Sequence, residues 1–418
     1  PFSSISFQAR PYPPPSPPPT SPNMFARFAP RVARAAQQQR RLVAGFAPAC
    51  LRQASGSKGG GALLAAGAFG AAGLLTWKDQ QSKAAQCEAA KGNFKVCVCG
   101  GSGGIGQPLS LLMALDDNVG ELSVYDLNIA MVPPAGVAAD LSHLEKKAKV
   151  KGYAKKLDEK AIDVLGECLS GCSLVLVPAG MPRKPGMTRD DLFKVNADIA
   201  KEVVEACAKH CPNAVVALIV NPVNSVVPAM AELYKKKGLD PKKIVGVTTL
   251  DCVRANKFVA EIMNVDPKDV SVPVIGGHAG VTIMPVFSQD KIAAKIPAAK
   301  IPALDEHVQN AGTDVVQAKA GKGSATLSMA YAGSRLGKAV LAGLAGTPTT
   351  ECAYVMTDIE PGVQYFTSKV TFGKTGVEKV HPVGVLNEYE QKRLEEAKAA
   401  LSMEIKSGID YAAGTSFA

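Results

Sequence analysis

Residues 93–115 read NFKVCVCGGSGGIGQPLSLLMAL and predict a strand, a glycine-rich turn and a helix, in that order. The alternating apolar residues up to Cys99 are typical of a strand, and a helical pattern begins at about Gly104. Within the turn, Gly101, Gly103 and Gly106 have the spacing G-x-G-x-x-G. Glycines spaced in this way let the backbone turn tightly and approach a pyrophosphate, whose charge the helix N-terminus stabilises. The stretch therefore predicts a dinucleotide-binding unit.

A second predicted strand, ELSVYD at 121–126, ends in Asp126, twenty residues after Gly106. A carboxylate at that place can accept hydrogen bonds from the ribose hydroxyls of an adenosine and repels a 2′-phosphate, so NAD is favoured over NADP. The alternative is a structural glycine turn with Asp126 as a helix cap.

Strands and helices continue to alternate after this unit. Strands are predicted at 172–180, 214–220 and 243–247, and helices at about 190–209, after Pro222 and from Asp251. This order is typical of an α/β fold with a Rossmann-type, doubly wound parallel sheet covered by helices on both faces. From Val270 the pattern is more mixed, with long helical stretches near 303–319 and 386–407, and we expect an α+β catalytic half there. The predicted domains are 91–238 for NAD and 239–418 for the substrate.

Residues 1–90 have the composition of a targeting leader. They hold ten Lys and Arg against two acidic residues, which is +8 of the formal net charge of +10. The rest of the chain is near neutral and has no basic blocks interleaved with aromatics, so no nucleic-acid partner is expected. The uncharged apolar run at 62–77 is short for a membrane span. Three interpretations of this run remain open. It is a cleaved sorting element, a weak membrane anchor if the leader is retained, or a compositional accident.

The ten cysteines contain no CxxC pair and no zinc-like spacing with histidine. Cys97 and Cys99 alternate within a strand, whereas Cys168/Cys172 and Cys207/Cys211 have the spacing of one helix face. We expect buried free thiols and no metal.

Acid–base chemistry is predicted where His278 follows an apolar strand in a glycine-flanked turn. Such a histidine can transfer one proton near neutral pH, as conversion between a carbonyl and an alcohol requires, although a solvent-facing loop histidine is the alternative. Asp251 begins a helix after another strand at the same sheet edge and can orient the imidazole, and it could also be a simple N-cap. Arg254, one turn later, can offer its guanidinium to a carboxylate in the same cavity. The basic loop MPRKPGMTRDD at 181–191 adds Arg183 and Arg189.

Seven stretches together resemble the NAD-dependent malate dehydrogenases of the mitochondrial and enterobacterial type, in the lactate/malate dehydrogenase superfamily. These are GGSGGIGQPLSLL, GVAADLSH, PAGMPRKPGMTRDDLF, NPVNS, GVTTLDCVRAN, VPVIGGHAGVTIMP and AKAGKGSATLSMAYAG. The resemblance runs from about Phe94 to near the C-terminus. It implies a Rossmann-type domain followed by an α+β catalytic domain, a homodimer, and reversible oxidation of L-malate to oxaloacetate with NAD, in the tricarboxylic acid cycle.

The resemblance also implies roles for individual residues. His278 would be the proton donor and acceptor, Asp251 its partner, and Arg254 the bidentate anchor of the C1 carboxylate. Arg189 would polarise the reacting carbonyl, and Arg183 would bind the distal carboxylate. Lactate dehydrogenases carry an uncharged glutamine at the position of Arg183, so this arginine argues for a dicarboxylate.

The cofactor and the substrate would share one cleft. Asn221 would contact the substrate and the nicotinamide side, with Pro222 in a cis peptide; for Met329, core packing is the alternative. The implied cofactor contacts are Gly100, Gly101, Gly103, Gly104, Ile105, Gly106, Asp126, Asn196, Ile219, Val220, Asn221 and Met329.

Two departures from the family pattern and three alternatives accompany this interpretation. The segment between Asp126 and Gly136 is about four residues longer than usual, and Gly100-Gly101-Ser102 replaces a common Gly-Ala-Ser. A nucleotide-binding scaffold without turnover is the competing function. The mitochondrial matrix is the expected location, with a plastid or, if the leader is retained, a membrane-associated form as alternatives.

Overall fold

The computed structural model of this chain describes residues 93–181 and 189–417, except the side chains of residues 189 and 190. The predicted leader and its apolar run at 62–77 lie outside the described residues. Every structural statement below concerns the described part.

Six parallel strands form the first half of the sheet. They are β1 (Phe94–Cys99), β2 (Val119–Leu127), β3 (Lys149–Lys155), β4 (Cys172–Val177), β5 (Val215–Leu218) and β6 (Ile244–Gly246). Their spatial order is β3-β2-β1-β4-β5-β6. The chain order reverses between β1 and β4, which is where doubly wound sheets bind their ligands. The glycine turn that follows β1 lies at this point.

Helices cover both faces of these strands. They are α1 (Gly106–Ala114), α2 (Pro134–Leu141), α3 (Ala161–Val164), α4 (Gly166–Leu169), α5 (Arg189–His210) and α6 (Val223–Lys236). Side chains alternate along a strand, and β1 shows the result: Val96 and Val98 belong to one buried core, and Cys97 and Cys99 to another. A strand segment that is buried on both faces must be apolar, which explains the apolar runs at 96–99 in β1, at 174–177 in β4 and throughout β5.

The second half continues the same sheet with antiparallel strands. Its elements are α7 (Thr249–Met263), β7 (Val274–Gly276), β8 (Ile283–Pro285), α8 (Ile301–Ala318), α9 (Leu327–Leu344), β9 (Thr349–Met356), β10 (Tyr365–Gly373), β11 (Gly376–Val380) and α10 (Glu388–Gly414). Gly246 of β6 pairs with Tyr354 of β9, and the order then runs β9-β10-β7-β8, with β11 on β10. A parallel sheet followed by an α+β half confirms the predicted fold class.

One long helix of the second half, α9, is not predicted by the sequence pattern. It contains Gly333, Gly337 and Gly343, and glycine lowers helix propensity. Its packing explains these residues, because a Cβ on Gly337 would lie 3.1 Å from the sulfur of Met113 in α1. Small residues let α9 approach α1 closely, and this tertiary contact outweighs the local propensity.

The cysteine prediction is partly wrong. Cys168 lies in the short helix α4, whereas Cys172 begins β4, so the two residues do not share a helix face. Between them, Gly171 has φ of +78°, which is not a helical conformation. The eight described cysteines are buried free thiols, as predicted. Burial and neighbouring thiols raise the pKa of several of them, Cys172 among them, so these thiols stay protonated.

Candidate active site

The turn after β1 leaves no room for a side chain at two of its glycines. Gly100 has φ of +94°, and a Cβ there would lie 2.7 Å from the backbone nitrogen of Ala179. A Cβ on Gly106 would lie 2.0 Å from the carbonyl oxygen of Gly100. The amides of Gly100 and Gly101 both donate to the carbonyl of Tyr125, at 2.8 and 2.9 Å. The result is a cradle of bare backbone at the N-terminus of α1, which fits a dinucleotide pyrophosphate.

Asp126 lies in the penultimate position of β2, beside this cradle. Its Oδ2 accepts a hydrogen bond from the amide of Ser102 at 2.9 Å, and its Oδ1 accepts from the amide of Leu127 at 2.8 Å. Two carboxylate oxygens offer about four acceptor sites in all, so capacity remains for ribose hydroxyls. Asp126 therefore orders the glycine turn and still presents a carboxylate at its edge, and it caps no helix.

His278 and Asp251 form a short hydrogen bond at the carboxyl edge of the sheet. His278 follows β7, Asp251 lies in the first turn of α7, and imidazole Nδ1 lies 2.5 Å from carboxylate Oδ2. Asp251 is fully buried, whereas the His278 side chain is 10% exposed. Because a carboxylate only accepts, Nδ1 carries the hydrogen and Nε2 is left to exchange a proton with a substrate.

Arg254 lies one turn further along α7, as its spacing predicts. Its Nη1 is 3.6 Å from Oδ1 of Asp251, which is too long for a good hydrogen bond. That Oδ1 is buried and has no hydrogen-bond partner among the described residues. Burial lowers the pKa of the guanidinium, and attraction to Asp251 and Asp314 opposes this effect. The guanidinium thus remains a largely buried cation beside Asp251, with donors available to a substrate carboxylate.

Two family models match almost the whole described chain. The model described as lactate/malate dehydrogenase, NAD binding domain, matches residues 94–246, and the lactate/malate dehydrogenase alpha/beta C-terminal domain matches residues 248–412. The chain belongs to the lactate/malate dehydrogenase family. Its fold and its cofactor, NAD, are those of this family of oxidoreductases.

Individual relatives agree with this assignment. The mitochondrial malate dehydrogenase of Chlamydomonas reinhardtii is 50% identical over 345 residues, which are 82% of this chain and 89% of that protein. The peroxisomal malate dehydrogenase 2 of Arabidopsis thaliana is 50% identical over 331 residues, 78% of this chain and 90% of that protein. Among solved structures, the lactate dehydrogenase of Cryptosporidium parvum in complex with lactic acid and the dinucleotide has a TM-score of 0.64 at 26% identity. That match covers 76% of this chain and 98% of the other.

In this lactate/malate dehydrogenase, Asn196 connects the ends of two neighbouring strands. Its Oδ1 accepts from the amide of Met181 at 2.7 Å, and its Nδ2 donates to the carbonyls of Met181, at 3.2 Å, and Asn221, at 2.6 Å. Both amide hydrogens are used within the protein. Asn196 therefore positions Asn221 and the start of the basic loop. The peptide between Asn221 and Pro222 is cis, which confirms that prediction.

Of the remaining residues that are predicted to contact the cofactor or the substrate, some are buried and the others lie outside the described part. Ile219 and Val220 are buried at the end of β5, and Met329 is 5% exposed in the core around α9. This burial supports the packing interpretation of Met329. Arg183 lies outside the described residues. Arg189 is the first residue of α5, and its side chain lies outside them too.

Three residues that the sequence analysis does not single out surround the backbone of His278. Oδ1 of Asn224 accepts from the amide of His278 at 2.8 Å, and Nδ2 of Asn224 donates to Thr282 and Glu404. Asn224 lies within the quoted stretch NPVNS, so a signal for it exists. Glu404 is 180 residues away in the chain, and no local pattern connects it to the site.

The described residues contain neither a candidate metal site nor a candidate membrane span. No group of three or more His, Cys, Asp or Glu side chains in that part could hold a metal ion. No helix there is long and apolar enough to cross a membrane.

Proposed function

We propose that this chain catalyses the reversible oxidation of L-malate to oxaloacetate with NAD. The observation that carries the proposal is the 2.5 Å hydrogen bond between His278 Nδ1 and the buried carboxylate of Asp251. It orients an imidazole with a free Nε2 at the sheet edge where the glycine cradle also lies. The relatives that are 50% identical to the chain are malate dehydrogenases, which supports this substrate.

The proton is handled by His278 and Asp251. In malate oxidation, Nε2 of His278 accepts the proton of the C2 hydroxyl while the hydrogen on C2 leaves as a hydride. The bound NAD supplies the hydride acceptor. The carboxylate of Asp251 stabilises the imidazolium that forms, and it prevents the ring from rotating away from the substrate. In oxaloacetate reduction the same imidazolium returns the proton.

Three arginines account for the remaining charges of the substrate. Arg254 pairs with the C1 carboxylate, and its buried guanidinium beside Asp251 supports this role. By family resemblance, Arg189 stabilises the charge that develops on the reacting oxygen, and Arg183 pairs with the distal carboxylate. A monocarboxylate would leave Arg183 without a partner, which favours a dicarboxylate.

The cofactor contacts follow the cradle. The proposed residues are Gly100, Gly101, Gly103, Gly104, Ile105, Gly106, Asp126, Asn196, Ile219, Val220, Asn221 and Met329. The bare backbone of the glycine turn lets the pyrophosphate approach the N-terminus of α1, and Asp126 accepts hydrogen bonds from the ribose hydroxyls and repels a 2′-phosphate. Asn196 acts on the cofactor side by fixing the carbonyl of Asn221.

The cellular role and assembly are also proposals. The Arg-rich leader at 1–90 supports the mitochondrial matrix and a place in the tricarboxylic acid cycle, and a plastid is the alternative. The relatives include both mitochondrial and peroxisomal enzymes. We further propose a homodimer, and a division of the chain at 238/239 into a nucleotide and a substrate domain.

The test is oxidation of NADH by the purified chain with oxaloacetate, pyruvate and 2-oxoglutarate in parallel, repeated with NADPH. We expect turnover with oxaloacetate and NADH at least about a hundredfold above the other combinations. Turnover with pyruvate as the best substrate would contradict the substrate assignment. NADH binding without turnover on any substrate would favour a nucleotide-binding scaffold.

A further inference from the structure

The turn that carries His278 is packed against a single buried amide, that of Asn224. A Cβ on Gly277 would lie 2.7 Å from both Nδ2 and Oδ1 of Asn224 and 2.6 Å from Oγ1 of Thr282. Asn224 itself is 1% exposed and lies in the first turn of α6. The residue before His278 must therefore be glycine, because the Asn224 side chain occupies the space that a Cβ would need.

Every hydrogen-bonding group of this amide has a partner. Oδ1 of Asn224 accepts from the backbone amide of His278 at 2.8 Å. The two hydrogens on Nδ2 are donated to Oγ1 of Thr282, at 3.0 Å, and to Oε2 of Glu404, at 2.6 Å. The Thr282 hydroxyl in turn donates to the carbonyl of Ala279, at 2.8 Å, and this closes the turn after His278.

Glu404 helps to determine which way the amide faces. An ionised carboxylate only accepts, so it must meet the nitrogen of Asn224 and not the oxygen. The oxygen is then directed at the amide of His278. The N–H of His278 and the Thr282 hydroxyl favour the same orientation, and without Glu404 one hydrogen of the Asn224 NH₂ group would lose its acceptor. The acceptor on Glu404 thus strengthens the amide orientation that holds the histidine backbone.

Glu404 is held at this place by close helix packing. It lies in α10, and a Cβ on Gly408, one turn further along, would lie 2.2 Å from the carbonyl oxygen of Ser225 in α6. The glycine lets α10 approach the first turn of α6, where Asn224 lies. The C-terminal helix is therefore part of the support of the active site, although none of the proposed substrate-binding residues lies on it.

We propose that Asn224 and Glu404 are positioning residues for His278. They fix the backbone of the histidine so that its Nδ1 meets Asp251 and its Nε2 faces the substrate. The expected effect on kcat rests on the proposed function. The expected effect on the hydrogen bond between His278 and Asp251 does not depend on it. Displacement of a reacting group by about 1 Å can cost about a hundredfold in rate.

The test uses the full chain with paired substitutions at position 404. Leucine in Glu404→Leu has similar size and no acceptor, whereas glutamine in Glu404→Gln keeps an acceptor oxygen. We expect kcat for malate oxidation to fall about tenfold or more in Glu404→Leu and less than about threefold in Glu404→Gln. KM for malate should change little in both, because Arg254, the proposed anchor of the substrate carboxylate, lies on a different helix, α7. Glu395→Gln, an exposed change on the same helix, is the matched control.

A second pair of variants exchanges the donor and the acceptor. Asn224→Asp loses both donors and places two carboxylates in contact, so we expect kcat to fall about tenfold to a hundredfold. In the double variant Asn224→Asp/Glu404→Gln the donor lies on residue 404 instead, and we expect at least threefold recovery over Asn224→Asp alone. A role limited to general stability would lower the unfolding temperature without this recovery in kcat.

An independent readout needs no turnover. In protein labelled with ¹⁵N-histidine, the ring Nδ1–H of His278, which hydrogen-bonds to Asp251, gives a low-field proton resonance that Asp251→Asn assigns. We expect this resonance to weaken or shift in Glu404→Leu and to persist in Glu404→Gln and Glu395→Gln. If kcat per NADH-binding site and this resonance both stay at their wild-type values in Glu404→Leu and Asn224→Asp, the positioning role is wrong. If the wild type does not oxidise malate at all, the proposed function fails, and the resonance alone then decides the positioning role.

Discussion

Replacing Asp251 with asparagine tests the central feature of the proposed mechanism. The carboxylate lies 2.5 Å from Nδ1 of His278 and is fully buried. An asparagine can direct its oxygen at Nδ1–H, but its NH₂ group then faces the guanidinium of Arg254, which lies 3.6 Å from the present Oδ1. The variant therefore loses the negative charge of residue 251 and also places the NH₂ group of the asparagine against the N–H groups of Arg254.

The expected magnitude follows from two estimates of the pairing. A charge-assisted hydrogen bond contributes about 1.5–3 kcal/mol, which corresponds to roughly a ten- to hundredfold effect on rate. Coulomb attraction between an imidazolium and a carboxylate at about 4 Å, at an effective dielectric constant near 20, is about 4 kcal/mol and gives an upper value near a thousandfold. We expect kcat for malate oxidation to fall by about a hundred- to a thousandfold in Asp251→Asn.

The assay is NADH formation from malate and its consumption with oxaloacetate, normalised to NADH-binding sites. KM should rise by only a few fold, through the altered surroundings of Arg254. Asp314→Asn is the matched control, because Asp314 also attracts Arg254 but is half exposed and does not contact His278. It should stay within about twofold of the wild type. A folded Asp251→Asn protein with kcat within threefold of the wild type would refute the pairing as a catalytic device.

Two other substitutions test the substrate loop and the cofactor cradle. Arg183→Gln should lower kcat/KM for oxaloacetate by at least about a hundredfold and change that for pyruvate little, because only the dicarboxylate needs a distal cation; equal losses with both substrates would remove this role. Gly106→Ala should lower the unfolding temperature and weaken NADH binding, because its Cβ would lie 2.0 Å from the carbonyl oxygen of Gly100. Gly136→Ala, whose Cβ would meet nothing within 4 Å in helix α2, should instead be neutral or stabilise by about 1 kcal/mol, as thermal unfolding and NADH titration can show.

The sequence predicts those parts of the fold in which local and tertiary preferences agree. The strand segments that are buried on both faces, such as residues 96–99 of β1 and all of β5, are continuously apolar, and glycines or prolines mark the turns between strands. The predicted helix at 190–209 matches α5 within a residue at each end. Helix α9 is an exception. Its glycines allow close contacts with α1 and β4, and a local sequence pattern does not indicate such contacts.

The candidate site divides in the same way. Asp251 and Arg254 are predictable because Asp251 follows the carboxyl end of the parallel strand β6 and Arg254 shares its helix face. His278 is predictable as a histidine in a glycine-flanked turn, but it follows the antiparallel strand β7, so its approach to Asp251 depends on the tertiary structure. Glu404 is not predictable from sequence pattern, since a glutamate in an amphipathic helix is ordinarily a solvated charge. Only the packing of α10 on α6 brings it within 2.6 Å of Asn224.

Different parts of the chain hold the side chain and the backbone of His278. The side chain of His278 is oriented from α7, through Asp251, whereas its backbone is held from α6 and α10, through Asn224 and Glu404. Asp251 acts directly on the ring and responds to charge, so removing its charge should affect kcat most strongly. Asn224 and Glu404 act through hydrogen-bond polarity, so an exchange of donor and acceptor between them should restore activity. The two kinds of support therefore differ in the substitutions that each one tolerates, and this makes them separable by experiment.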